Sequence, residues 1–245
     1  MYLSTISIIL IALFLCSLTL PVLTYYFAIE SAGKSAGLNT YKIRKIQILV
    51  FGFFVCLWGL TSILSINGYL YGNSLPPRPI LFLVLPLSIY LYILSRKSTT
   101  YQKLFKAIKI ETLINIHIFR LIGSWFLVMS YYNLLPTGFA VRAGLGDIIT
   151  AILALCVTQF VFKKKILSIR WAYAWNVFGL IDILSVVVSA IVITTTANAN
   201  PNSSINVLEL TKFPFALIPA FAPAIIVFLH IITFQKLNCI SKERY

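Results

Sequence analysis

Apolar positions run through this chain in seven long blocks, and the short stretches between them hold nearly all of its charge. A helix that crosses a bilayer needs about 20 mostly apolar residues. The blocks predict spans over roughly 3–29, 46–66, 80–94, 112–132, 144–162, 171–193 and 213–235. The third is the shortest, with Pro79 and Pro86 at its start. None shows the in–out alternation of a membrane β-barrel strand, so helices are expected throughout. The predicted fold is all-α: an integral membrane seven-helix bundle, built as a single transmembrane domain over residues 1–245.

Charge placement adds a direction. Twenty Lys and Arg face six acids, for a net +14. Sixteen of the basic residues lie on alternate connecting segments and the tail, including Lys34, Arg44, Lys103, Lys163 and Arg244. The other side carries three, Arg78, Arg142 and Lys212, and Arg120 is left inside a span. Cytoplasmic loops are enriched in Lys and Arg. The bias therefore predicts the amino terminus outside and the carboxyl terminus in the cytoplasm. Read this way, the basic excess is a topology signal with some attraction to anionic lipid heads. The bilayer is its partner, and nucleic acid is not.

Composition closes off other classes. The chain is 60% hydrophobic and 11% charged, against about 25% charged for a soluble domain. A soluble enzyme, a disulfide scaffold and a DNA-binding domain are excluded. The four cysteines form no CxxC pair, and Cys16, Cys56 and Cys156 read as small buried apolar residues. Neither a metal nor a cofactor is called for. No basic residue precedes the first apolar block, which is too long for a signal-peptide core, so it is expected to stay as a helix. The segment 194–212 is rich in Thr, Asn and Ser and reads as a mobile outer loop. Tyrosines 25, 26, 69, 71, 131 and 132 read as an aromatic belt near outward span ends.

Ionisable residues at membrane depth are expensive, about 2.5–3.5 kcal/mol each on insertion scales, and tend to mark paths or pairs. Five stand out: His117, Arg120, Asp147, Asp182 and His230. In the fourth span, His117, Arg120, Ser124 and Tyr131 share one face at α-helical spacing, with Ile118, Leu121, Ile122 and Phe126 opposite. In the sixth, Trp175, Gly179, Asp182 and Ser189 do the same. Arg120 and Asp182 fall at matching depths and are expected to pair. Asp147, behind Gly144 and Gly146, is expected in the first turn of the fifth span, at the outer mouth with Arg142 as partner. His117 and His230 are candidates for cross-helix hydrogen bonds, or for axial haem ligation. Pro219 and Pro223 predict a kinked or unwound outer half of the last span.

Two resemblances follow from these residues. The pattern Phe119-Arg120-x-x-Gly123, then Leu135-Pro136-x-x-Phe139-Ala140-x-x-Ala143-Gly144-x-Gly146-Asp147, then a Pro-rich last helix ending Leu229-His230, resembles a group of small bacterial polytopic membrane proteins of unassigned function. It spans roughly residues 112–237 and implies a multi-pass protein of the bacterial inner (cytoplasmic) membrane. Gly144-Leu145-Gly146-Asp147 also resembles the GxGD motif of intramembrane aspartyl proteases, with Asp182 as a second acid. An axial offset of roughly 10 Å separates the two acids at helical rise, too far for a shared proton.

Function is read on two lines. One is passage or exchange of a small solute or proton through a polar interior formed by the five residues. The other is a non-catalytic membrane subunit or assembly partner, bound to another membrane protein. The reading leans away from an enzyme, the protease being the remote alternative. A water-accessible interior favours the first line, and a dry interior with its polar groups paired favours the second.

Overall fold

Among the described residues, seven helices are long and apolar enough to cross a membrane: α1 (Ile8–Ser35), α2 (Thr40–Ile66), α3 (Ile80–Lys97), α4 (Ile110–Tyr131), α5 (Thr137–Lys163), α6 (Arg170–Ala199) and α7 (Leu217–Lys242). No strand occurs among the described residues. The chain is therefore a multi-pass membrane protein. These coordinates are a computed structural model and describe residues 8–72, 74–200 and 205–242. The leader, the first residues of the first expected span, residues 201–204 of the outer loop and Arg244 lie outside the described residues.

Local chemistry sets the helix boundaries. The Asn39 side chain accepts from the Lys42 amide at 2.9 Å and starts α2. Ser98 does the same, through Tyr101, for a short helix Thr99–Ala107 inside the basic segment before α4. α1 is interrupted at Leu18, because Pro21 has no N–H to offer the Ser17 carbonyl. Asn133 takes a positive φ of 55° and ends the turn after α4. α5 then begins at Thr137, after Pro136, seven residues earlier than the sequence pattern implied.

α7 is the most enclosed helix and packs against α6, α3, α2 and the start of α4. α5 lies against α6 and α4, and α1 against α2 and α4. Rings knit the centre: Phe54 meets Phe221 at 5.9 Å, and Phe14 meets Phe215 at 5.2 Å. Large apolar side chains such as Ile48, Phe51, Val55 and Ile63 point outward from α2, as lipid contact requires.

Several expectations change. Cys16 and Cys56 are exposed and Cys156 half-buried, so they face the lipid side rather than the core. α6 continues to Ala199, and the far end of the outer loop is packed: Leu210 and Thr211 are buried and Ser65 Oγ donates to the Thr211 carbonyl at 2.9 Å. Tyr25 and Tyr26 sit mid-helix in α1 rather than at a span end. In the last span, residues 213–216 form turns and α7 runs unbroken from Leu217 through Pro223. Pro219 falls in its first turn, where a missing N–H removes no helical bond.

Candidate functional site

The middle of α4 winds tighter than an α-helix. Residues Ile116–Gly123 form a 3-10 helix, a long run for this conformation. At three residues per turn, positions i, i+3 and i+6 eclipse. His117, Arg120 and Gly123 therefore stack on one face, and all three are buried. Each tight residue adds about 20° of rotation over an α-helix. The face expected at α-helical spacing therefore drifts: Tyr131 is 81% exposed, while Ile122 and Phe126, expected opposite, lie in the core.

Arg120 is fully enclosed. Its Nε donates to Asp147 Oδ1 at 2.7 Å, and Nη2 donates to Asp182 Oδ2. Nη1 donates to the Gly179 carbonyl at 3.1 Å and meets His230 Nε2 at 3.2 Å. Four of the five guanidinium hydrogens are thus used. The expected Arg120–Asp182 pair forms. Asp147 joins it, against the expectation of a separate group at the outer mouth. The reason is the early start of α5: ten residues beyond Thr137, Asp147 is roughly 15 Å along its helix. Arg142 instead donates to Ser189 at 2.8 Å. Asp147 Oδ2 and Asp182 Oδ1 accept no hydrogen bond from the described residues.

Three glycines make this convergence possible. A Cβ on Gly123 would overlap the Asp147 carboxylate, and one on Gly146 would overlap that of Asp182. A Cβ on Gly179 would lie 2.5 Å from His230 Cε1. The hydrogen atoms of these residues leave the space in which three helices approach one centre.

His230 is oriented by Asn176. Its Nδ1 lies 2.8 Å from Asn176 Oδ1, and Asn176 Nδ2 donates to the His230 carbonyl at 3.0 Å. The amide oxygen therefore accepts from Nδ1–H, and Nε2 is left as the acceptor facing the guanidinium. Asn176 was not among the sequence candidates; an amide in an otherwise apolar run was the available signal. His117 behaves differently from the cross-helix role expected of it. It is fully buried, and neither ring nitrogen has a hydrogen-bond partner among the described residues. Its ring meets Trp175 edge-on at 5.0 Å and His230 at 4.3 Å. The imidazoles touch, so no slot for a porphyrin lies between them. Among the described residues, no three His, Cys, Asp or Glu gather as a metal site.

Two grooves open elsewhere. One, of about 300 Å³, is lined by Thr24, Ser31, Thr112 and Asn115 of α1 and α4. The other, of about 360 Å³, lies between α1 and α2. Neither is lined by any of the five candidate residues.

Residues 78–238 match a family described as a domain of unknown function (DUF8737), and the chain belongs to that family. The match runs from just before α3 to residue 238 within α7, holds all five candidate residues, and includes the stretch 112–237. No curated protein matches the chain, and no solved structure does.

Proposed function

We propose that this membrane protein takes up and releases a proton at the Asp147 and Asp182 carboxylates, which Arg120 bridges, and so passes protons through the bundle. One observation carries the reading: a single enclosed guanidinium is shared by two carboxylates from different helices. With both acids ionised and His230 in the tautomer its bonds require, the cluster holds one excess negative charge. Such a charge is costly at membrane depth, and one added proton cancels it. Arg120 already occupies the position between the acids that a metal cation would take, which favours the proton as the exchanged ion. Protonating either acid loosens its hold on Arg120. His117 touches the His230 ring and makes no hydrogen bond among the described residues, so it stands beside the cluster rather than in it. The charge bias favours a cytoplasmic carboxyl end, and the resemblance to small bacterial polytopic proteins implies the inner membrane of a bacterium. Labelling of Cys239 from one side only tests that orientation.

The reading differs from a protease dyad, in which two acids share a proton directly; here a guanidinium bonds to both. The test is proton flux into liposomes containing the protein, driven by an imposed potential and read with a pH dye. Infrared difference spectra across pH provide the second readout. Wild type is expected to pass protons and to show a protonated-carboxyl band, with both lost in Asp182→Asn. Flux equal to that of empty liposomes, together with no such band, would sink the reading.

A specific observation favours a second reading. Arg120 is enclosed with four of its hydrogens paired, as in a packing lock, and this suits a non-catalytic subunit of a membrane assembly. Stable co-purification of one stoichiometric membrane partner, without proton flux, would favour it.

A further inference from the structure

We propose that the groove between α1 and α2 holds one anionic glycerophospholipid, its phosphate on Arg44 and its upper acyl chain along the apolar walls. The two helices touch near their connecting turn, where a Cβ on Gly33 would lie 2.6 Å from Ile43. Beyond that contact they part into a groove of about 360 Å³. Its walls are Val22 and Ile29 from α1 and Ile48, Val50 and Phe51 from α2. Across its base, Gln47 Nε2 donates to the Tyr26 carbonyl at 3.1 Å, which ties the helices together while leaving the groove open.

Polarity along this groove is graded like a lipid. Arg44 lies four residues into α2 and Phe51 eleven, roughly 6 Å and 17 Å along the axis. The cation therefore sits at headgroup level and the apolar walls at the level of the first methylenes. Arg44 is exposed, and its guanidinium has no hydrogen-bond or ion-pair partner among the described residues. Around it the charge is positive: Lys42 and Lys45 flank it in sequence, and Glu30 is engaged by Lys34 at 2.5 Å. A planar guanidinium binds phosphate oxygens two at a time, and basic sites between membrane helices favour anionic heads. A zwitterionic head carries an ammonium that this surface repels. Both helices lie outside the matched family region, so the site belongs to the part of the chain that the family match does not cover.

Native mass spectrometry of the full chain, released from discs with equal phosphatidylglycerol and phosphatidylcholine, tests the proposal. Wild type should retain one phosphatidylglycerol with about fivefold preference, the factor set by one basic contact near the surface. Arg44→Gln should abolish that preference, and Lys42→Gln and Lys45→Gln should leave it standing. Ile48→Trp, at an exposed position that tolerates bulk, should fill the groove and lower retention of both lipids. Equal retention of the two lipids by wild type overturns the proposal. So does a preference that falls equally in all three charge variants, since the attraction would then belong to the whole basic surface.

Discussion

Arg120 Nε donates to Asp147 Oδ1 at 2.7 Å, although the two residues sit on helices that run in opposite directions and start far apart. The same guanidinium also reaches Asp182 on α6. One cation thus ties α4, α5 and α6 together, and its Nη1 group extends the tie to His230 on α7.

Removing that cation leaves two carboxylates buried and unpaired. Breaking a buried ion pair costs about 3–5 kcal/mol, and Arg120→Met is expected to lose that much, read as a lower midpoint in thermal unfolding in detergent. Arg120→Lys should restore little, because one ammonium cannot span the separate directions of the fork. Adding Asp147→Asn and Asp182→Asn to Arg120→Met should recover much of the loss. If Arg120→Met alone melts like wild type, the cluster is not a lock.

Glycine replacements separate the close approaches from open positions. Gly123→Ala and Gly146→Ala push a methyl into the Asp147 and Asp182 carboxylates, and overpacking of this kind costs about 1–3 kcal/mol. Gly52→Ala on α2 meets nothing within 4 Å. It should be neutral or raise stability by about 0.5–1 kcal/mol through helix propensity. Parallel melting curves of the three variants check the contrast.

The two histidines should respond differently. Asn176→Ala strands His230 Nδ1 in the core, at about 1–3 kcal/mol. His117→Phe removes no hydrogen bond and keeps a ring against Trp175, so its melting midpoint should stay near wild type. Proton flux should also stay near wild type in His117→Phe, because that ring stands beside the cluster. A variant that melts like wild type but loses flux would place His117 in the path.

Tyr101, on the short helix before α4, lies outside the spans and gives a pH signature. Burial pushes its hydroxyl up to about 12 from 10.0, and the buried oxygen has no hydrogen-bond partner among the described residues. The neutral form is favoured in the folded state. That contribution is therefore complete below about pH 10 and is lost as pH rises toward about 12. Tyr101→Phe should melt no lower than wild type at neutral pH and should resist alkaline destabilisation better. Identical alkaline melting profiles would contradict this.

The sequence by itself determined that the chain crosses a membrane on helices, because apolar length and charge spacing are local properties that the bilayer reads directly. It also singled out the polar residues worth watching and matched Arg120 to Asp182 by depth. Only the tertiary structure decided that Asp147 shares the same arginine. Two backbone events control that meeting: the early start of α5 at Thr137 and the tight winding of α4 at Ile116–Gly123. The winding of α4 leaves no clear periodic trace, and the start of α5 is marked only by Pro136, ahead of the apolar block that the hydropathy pattern follows. Asn176 escaped for a related reason: a neutral amide in an apolar run becomes significant only when folding brings His230 opposite it.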